Sequence, residues 1–232
     1  MQSILNNCTN FIQSWLTQDC LLCGTLSGAQ PLCAVCHEAL PRPAMACPVC
    51  AAPGSGEICG ECLKHPPSFD HTQAALNYTF PVDKLIQAYK YQQQLALARL
   101  FGTLLSQAVR AQPRPDIILP MPLHPTRLRE RGFNQALEIA KFIAQALHRP
   151  LATNTARRRV NTLSQATLEW DARQKNMQDA FACDTPLQGQ RIALVDDVMT
   201  SGSTLNALAK TLKRAGAAQV DAWVVARALP HH

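Results

Sequence analysis

The fold is decided by the stretch Ala193-Leu194-Val195-Asp196-Asp197-Val198-Met199-Thr200-Ser201-Gly202-Ser203-Thr204. An apolar strand brings two adjacent carboxylates to its carboxyl end. A turn of hydroxyl groups and one glycine, residues 200–204 and here named the hydroxyl turn, then opens a helix. In open α/β sheets ligands bind at this edge. Backbone N–H groups, hydroxyls and a helix N-terminus converge there, and this combination suits a phosphate monoester.

The two carboxylates extend this expectation from a phosphate to a sugar phosphate. Carboxylates accept hydrogen bonds from vicinal hydroxyls and hold hydrated Mg²⁺ through its waters. The stretch resembles the phosphoribosyl pyrophosphate (PRPP) motif of type I phosphoribosyltransferases, with Ser201 where Thr is commoner. The nearest alternative, the acidic pair of a receiver domain, lacks a hydroxyl-rich turn at this offset. The resemblance implies that PRPP and Mg²⁺ meet Asp196, Asp197, Thr200, Ser201, Gly202, Ser203 and Thr204, with the two aspartates also as catalytic candidates.

Outward from this stretch, strands and helices alternate along the chain. Strands are predicted near residues 74–78, 117–119, 192–195 and 220–226, and helices over residues 83–91, 95–111, 134–147 and 204–215. Between them, residues 127–132 are predicted to form a basic loop and residues 151–190 an irregular stretch. This alternation predicts an α/β fold over residues 73–232, with a parallel sheet, right-handed crossovers and helices on both faces.

Eight of the ten cysteines form four CxxC pairs in a small module over residues 20–63. The pairs are Cys20/Cys23, Cys33/Cys36, Cys47/Cys50 and Cys59/Cys62. Two such pairs complete one tetrahedral site, so the eight thiols predict two closed structural zinc sites, in preference to disulfides or an iron–sulfur cluster. Sequential pairing would make a double zinc ribbon, whereas pairing the first with the third would make a cross-braced module. The spacing leaves both open.

Basic residues concentrate after this module. Residues 114–175 hold eleven basic and five acidic side chains, which suits a phosphate-rich partner, although a solvated basic face is the alternative. Arg131 is the candidate to clamp a pyrophosphate, because a guanidinium makes bidentate contacts to phosphate oxygens. The candidate nucleic-acid contacts are Arg127, Arg129, Arg157, Arg158 and Arg159.

The first nineteen residues carry apolar side chains at helical spacing and predict an amphipathic helix ahead of the cysteines. No basic residue precedes it to form a secretory signal, and no window of 18 apolar residues could span a bilayer. We therefore expect a cytoplasmic protein without a transmembrane segment.

Together these features resemble the ComF/GntX family, from about Cys20 to Arg227 and in the family's order. Besides the cysteine pairs and the aspartates, the resemblance is carried by Lys90, Tyr91, residues 131–135, Thr162, Gln165, Arg173, Asn176 and Phe181. It implies a double zinc ribbon joined to a phosphoribosyltransferase-like domain, acting in natural competence or the use of external DNA. Residues 157–181 are expected to cover the site as a hood.

Two functions follow as hypotheses. The first is a PRPP-binding protein that handles single-stranded DNA, with other DNA-uptake or DNA-processing proteins as candidate partners, and that uses the pocket for binding or regulation. The second is a Mg²⁺-dependent transferase that moves ribose 5-phosphate from PRPP to a nucleobase or related amine. We favour the first, because residues 151–190 contain no signature that recognises an acceptor base.

Overall fold

The computed structural model of the chain describes residues 18–160 and 180–228. Its strands are β1 Gln18–Asp19, β2 Leu26–Gly28, β3 His71–Asn77, β4 Ile117–Pro120, β5 Ala156–Arg158, β6 Phe181–Cys183, β7 Arg191–Met199 and β8 Gln219–Arg227. Its helices are α1 Ala34–Glu38, α2 Gly60–Lys64, α3 Val82–Tyr91, α4 Ala96–Ala108, α5 Pro125–Arg131, α6 Gln135–Leu147 and α7 Ser203–Arg214. None of the helices in this part of the chain combines the length and apolar character needed to cross a membrane.

Four strands form one parallel sheet in the order β3-β8-β7-β4. The central strand β7 places Val195 beside Trp223 of β8 and Pro120 of β4. Because all four strands run the same way, their carboxyl ends lie at a single edge. The parallel sheet predicted from the sequence is confirmed, and its carboxyl edge is where the aspartates and the hydroxyl turn lie.

Helices cover both faces of this sheet, as predicted. Successive side chains of a strand point to opposite faces, so a strand covered on both sides is apolar throughout. Ala193 and Val195 of β7 pack into the cluster that holds residues of α3, α4 and α6. Ile192 and Leu194 pack into the cluster that holds α7. Two apolar layers therefore hold the strand that carries the site.

The cysteines form two clusters by sequential pairing, which settles the alternative left open by the spacing. Four ligand atoms lie within 4.8 Å of one another in each cluster. The first cysteine cluster is Cys20, Cys23, Cys33 and Cys36, and the second cysteine cluster is Cys47, Cys50, Cys59 and Cys62. The first packs its apolar residues on the face that holds α3 and α4, and the second on the face that holds α7.

Two elements differ from the sequence-based expectation. The predicted basic loop at residues 127–132 is wrong, since α5 covers most of it. Pro125 is preorganised for the first helical turn, His124 Nδ1 accepts the Thr126 N–H at 3.2 Å, and Gly132 ends the helix at φ +79°. Within the expected irregular stretch, β5 and β6 pair as antiparallel strands.

Some expectations concern residues outside the described ranges. The predicted N-terminal helix lies outside them except for Gln18 and Asp19, which belong to β1. The expected hood residues Thr162, Gln165, Arg173 and Asn176 also lie outside the described residues.

Candidate functional site at the carboxyl edge of the sheet

The two adjacent aspartates of β7 have different surroundings. Asp196 is half-buried, and its Oδ1 accepts the backbone N–H of Asp197 at 2.9 Å. Asp197 Oδ2 lies 2.9 Å from Nζ of Lys90, which is in the last turn of α3. The Lys90 and Asp197 side chains are only 19% and 10% exposed. The site therefore contains a largely buried ion pair beside a second carboxylate.

The second carboxylate is difficult to ionise in this setting. Burial, followed by the adjacent Asp197 charge, raises the pKa of Asp196 to about 7, although Lys90 and Arg158 oppose the rise. Burial by itself would lower the pKa of Lys90, but the charges of Asp197 and Asp196 outweigh burial and raise it. The ammonium of Lys90 is therefore held in its charged form, and a cationic ligand or a vicinal diol would find Asp196 near its titration point.

The hydroxyl turn is open to solvent. Thr200, Ser201 and Ser203 are exposed, and the hydroxyls of Ser201 and Ser203 lie 3.0 Å apart. Gly202 has φ +77° and precedes the first residue of α7, whose leading N–H groups have no intrahelical partner. This dihedral angle favours glycine, whereas the only close contact of a Cβ would be with Met199 Cε, at 2.6 Å, which is the end of a flexible side chain.

Two grooves in the described part of the chain, of about 520 and 750 Å³, flank α4, and none of the hydroxyl-turn residues lines either one. The candidate site lies at the carboxyl edge of the sheet, where the hydroxyl turn is exposed and where open α/β folds bind ligands.

The predicted arginines separate into different environments. Arg131, at the end of α5, donates to Gln135 Oε1 at 3.0 Å, and its guanidinium lies 5.6 Å from the centre of the Tyr91 ring. Since its charge acts on Lys90, it lies on the aspartate side of the edge. Arg158 is half-buried over the ring of Phe181 and acts on Asp196. Both are placed to meet an anionic ligand.

The remaining arginines are nearer to solvent. Arg127 pairs with Glu130 at 3.1 Å, and Arg157 forms an ion pair with Asp184. Arg129 and Arg159 are exposed. The structure therefore does not gather all five nucleic-acid candidates onto one free surface.

Two residues at the site escaped the sequence reasoning. Lys90 entered it only within a resemblance pattern, because its partner lies 107 residues away in the chain. Arg227 follows the buried apolar run of residues 222–226 at the end of β8 and is only 5% exposed. A charged residue that ends a buried apolar strand is the signal that could have identified it, since such charges are rarely buried without partners.

The cysteine clusters match the donor set and spacing of a tetrahedral metal. Tetrahedral zinc with Zn–S bonds of about 2.3 Å requires sulfur atoms about 3.8 Å apart. The Sγ atoms of Cys23 and Cys33 are 3.7 Å apart, and those of Cys50 and Cys59 are 3.6 Å apart.

At least one thiol in each cluster is favoured as the thiolate. Although burial opposes it, backbone hydrogen bonds from neighbouring residues lower the pKa of Cys20 to about 6 and that of Cys47 to about 7. In contrast, a hydrogen bond with Cys23 raises the pKa of Cys36, and burial raises the pKa values of Cys50 and Cys62. It is the geometry of all eight predicted ligands that fits two closed zinc sites.

The fold and the site define a protein of the phosphoribosyltransferase fold, preceded by two four-cysteine modules. The family described as Phosphoribosyl transferase domain matches residues 134–230, which include β7, the hydroxyl turn and β8. A purine phosphoribosyltransferase from Pyrococcus horikoshii is a solved structure with partial likeness, at 18% identity and a TM-score of 0.37, covering 55% of this chain and 70% of that one.

Relatives that match nearly the whole length identify the family. Competence protein F of Haemophilus influenzae is 34% identical over 211 residues, covering 85% of this chain and 90% of the relative. DNA utilization protein YhgH of Salmonella typhi is 33% identical over 206 residues, covering 85% and 91%. Competence protein ComFC of Bacillus subtilis is 25% identical over 192 residues, covering 78% and 77%. The chain belongs to the ComF family.

The buried ion pair generates a first prediction. Lys90→Met should lower the free energy of unfolding by about 3–5 kcal/mol, because it leaves the Asp197 carboxylate buried without its partner. Urea denaturation measures this loss. The control is Lys84→Met on the same helix, whose exposed side chain should change stability by less than about 1 kcal/mol. Adding Asp197→Asn to Lys90→Met should restore most of the loss. Equal effects of the two single lysine variants would contradict a buried pair.

The raised pKa of Asp196 generates a second prediction. A carboxyl whose folded pKa exceeds its unfolded value makes the folded state bind more protons, so its contribution to stability falls as the pH rises towards 7. Asp196→Asn removes this titration while keeping an acceptor for the Asp197 N–H. In magnesium-free buffer, the stability of the variant relative to wild type should increase by roughly 2 kcal/mol between pH 5 and pH 8. A difference independent of pH would contradict the assignment.

Proposed function

We propose that this protein binds PRPP or another ribose 5-phosphate at the hydroxyl turn. We further propose that it acts in the cytoplasm, in DNA uptake during natural competence or in the use of external DNA, where it handles single-stranded DNA. The observation that carries the proposal is the shared edge, where β7 carries two carboxylates close to its carboxyl end and leads into an exposed turn of hydroxyl groups at a helix N-terminus. The names of the relatives, competence and DNA utilization proteins, support the cellular role.

The site offers complementary groups for the two halves of a ribose 5-phosphate. The hydroxyls and N–H groups of residues 200–204 donate to the phosphate, and the positive end of α7 favours its charge. Asp196 is half-exposed next to the turn and accepts hydrogen bonds from the ribose hydroxyls. Lys90 supplies a cation that pairs with Asp197 and holds its carboxylate in place. The pair of carboxylates can also receive the waters of a Mg²⁺ ion that enters with PRPP.

Arginines on two other elements suit the pyrophosphate half of PRPP. Arg131 presents its guanidinium from α5 near Lys90, and Arg158 lies near Asp196 from β5. Arg131, which now contacts the Gln135 amide oxygen and the Tyr91 ring, can exchange these contacts for charge-assisted hydrogen bonds to phosphate oxygens. We assign Arg158 to this role rather than to the nucleic-acid surface, since it is half-buried and acts on Asp196.

Single-stranded DNA binding is proposed to use the exposed arginines. Arg129 and Arg159 face solvent, and the exposed pairs of Arg127 and Arg157 with acidic neighbours cost little to exchange for phosphate contacts. The two cysteine clusters are proposed to hold one structural zinc each. They fit closed four-thiolate sites without an open position for catalysis.

The alternative function is a Mg²⁺-dependent phosphoribosyltransferase, with Asp196, Asp197 and Arg131 as catalytic residues. The same pocket would then bind PRPP as a substrate rather than as a regulator. Release of pyrophosphate in the presence of PRPP and a nucleobase or amine acceptor distinguishes the two, because simple binding leaves PRPP intact.

PRPP binding is tested by calorimetric titration with Mg²⁺ present. The double variant Asp196→Asn with Asp197→Asn should weaken PRPP binding by at least 100-fold, because it removes both carboxylate acceptors while preserving side-chain shape. The control is Asp221→Asn at the amino end of β8, which should bind as wild type does. Circular dichroism confirms that both variants are folded. Unchanged binding in the folded double variant would refute the site.

DNA binding is tested by fluorescence anisotropy with a labelled single-stranded oligonucleotide across a salt series. Each arginine that contacts a phosphate contributes about 0.7 to the slope of log K against log salt. Arg157→Gln with Arg159→Gln should therefore reduce the slope by roughly 1.4 and weaken binding. Arg110→Gln with Arg114→Gln, exposed arginines flanking the end of α4, is the control. A slope that is unchanged in the first variant would place the DNA surface elsewhere.

A further inference from the structure

Arg227 is a buried cation that is surrounded by backbone carbonyl groups. Its Nε donates to the carbonyl oxygen of Cys50 at 2.8 Å. One terminal nitrogen donates to the carbonyl oxygen of Met199 at 3.1 Å and also contacts the carbonyl oxygens of Thr200 and Ala228. Among the described residues no carboxylate forms an ion pair with it. Its charge is therefore balanced by backbone dipoles contributed from two parts of the chain.

One of these parts is the beginning of the hydroxyl turn. A peptide unit is planar and trans, so its N–H points away from its C=O. When Arg227 draws the carbonyl oxygens of Met199 and Thr200 towards itself, the N–H groups of Thr200 and Ser201 point away from the guanidinium. An anion held by these N–H groups is also attracted by the cation behind them. The Ala228 N–H also donates to the Met199 carbonyl oxygen, at 2.9 Å, so Arg227 and strand pairing together fix the first peptide, and Arg227 extends this hold to the Thr200 carbonyl.

The other part is the metal-binding loop of the second cysteine cluster. Three consecutive carbonyl groups of this CxxC segment contact the sheet. The backbone N–H of Thr72 donates to Pro48 at 3.0 Å, the Thr72 hydroxyl donates to Val49 at 2.6 Å, and Arg227 donates to Cys50. The segment lies between the ligands Cys47 and Cys50, so its conformation depends on how those two sulfurs are held.

Apolar packing joins the same two parts. The ring of Phe69 lies 3.7 Å from the position of a Cβ at Gly202, within the cluster that also contains Met199 and Ala51. Ala51 directly follows Cys50 of the second cluster. The segment after the second cluster is further held by the Ser68 N–H, which donates to the side chain of Asn206 in α7 at 2.6 Å. The second cluster and the turn therefore share a hydrogen-bonded and an apolar connection.

The first cysteine cluster makes different contacts. Its apolar residues pack on the opposite face of the sheet, and the carbonyl oxygen of Pro41, which follows the cluster, accepts from the N–H of Asn77 at 2.8 Å. Within the described ranges, no hydrogen bond joins the first cluster to the hydroxyl turn. The two clusters therefore differ in their connection to the hydroxyl turn.

We propose that Arg227 is a positioning residue that couples metal occupancy of the second cysteine cluster to the conformation, and hence the anion affinity, of the hydroxyl turn. This inference rests on the proposed binding of a ribose 5-phosphate at that turn. It gives the second zinc a role beyond folding its own module: loss of that metal frees Cys50, and the carbonyl groups of the turn lose their fixed partner.

The test compares single-cluster variants of the full-length chain. Cys59→Ser and Cys33→Ser are matched, since each cysteine immediately precedes a five-residue helix in its own cluster. Wild type should contain two equivalents of zinc and each variant one. Amide hydrogen exchange across residues 198–205 should accelerate at least 10-fold in Cys59→Ser, with PRPP affinity reduced at least 10-fold. The change in exchange rate and the change in PRPP affinity should each be at least five-fold smaller in Cys33→Ser than in Cys59→Ser.

A second set of variants tests Arg227 itself with both zinc ions bound. Arg227→Met should accelerate exchange in the turn at least 10-fold and weaken PRPP binding by a similar factor while retaining two zinc equivalents. Arg227→Lys keeps the charge but loses the forked geometry, so it should recover only part of the affinity. Arg191→Met, at the opposite end of the adjacent strand β7, should match wild type in both measurements.

The outcomes separate this inference from the proposed function. If Cys59→Ser and Cys33→Ser changed exchange in the turn equally, or if neither changed it, the coupling would be overturned even where wild type binds PRPP. If wild type bound no PRPP, the proposed function would fail, and the exchange measurements would still decide the coupling. If Arg227→Met did not fold, the Cys59→Ser and Arg227→Lys measurements would decide it.

Discussion

The parallel pairing of β7 with β8 on one side and β4 on the other is the constraint on which the site depends. Parallel strands end at a common edge, so this pairing places three segments side by side. These are the aspartates of β7 with the hydroxyl turn that follows, the basic helix α5 after β4, and Arg227 at the end of β8. Apolar clusters cover both faces of β7 and stabilise this pairing. The two carboxylates are therefore carried by a strand that is shielded from water on both sides.

Charge at this edge is closely balanced before any ligand arrives. The carboxylates of Asp196 and Asp197 face the ammonium of Lys90, with the guanidinium of Arg158 acting on Asp196. Burial strengthens each of these interactions, because the surrounding medium screens charge less than water does. A ligand that carries both hydroxyl groups and phosphates suits this arrangement, since it can satisfy the acids and the bases separately. A simple anion or a simple cation would leave one set unpaired.

The two cysteine modules pack against opposite faces of the sheet, so they are integral parts of the fold. Each brings its own backbone into contact with the domain, the first through Pro41 and the second through Pro48, Val49 and Cys50. Small modules of this kind bury too little apolar surface to fold without metal or a neighbour. Here the sheet is the neighbour, and the second module in return supplies the Cys50 carbonyl oxygen as a hydrogen-bond acceptor to Arg227.

The local patterns of the chain determined the fold class, the order of strands and helices along the chain, the presence of two four-cysteine sites and the position of the hydroxyl turn. These features depend on periodicity and short spacings, which the amino-acid sequence carries directly. Helix α5 was also within reach, because Pro125 and Gly132 mark its ends, but its arginines suggested a loop instead. Contacts between residues far apart in the chain could not be predicted from these patterns.

Only the tertiary structure decided which CxxC pairs share a site, and that the predicted nucleic-acid arginines divide between ion pairs and solvent. It also decided two contacts between distant residues, that of Lys90 with Asp197 and that of Arg227 with Cys50. The physical reason is that a local pattern reports what a segment can form, whereas a contact between residues 107 or 177 positions apart exists only after the sheet and its layers have brought them together.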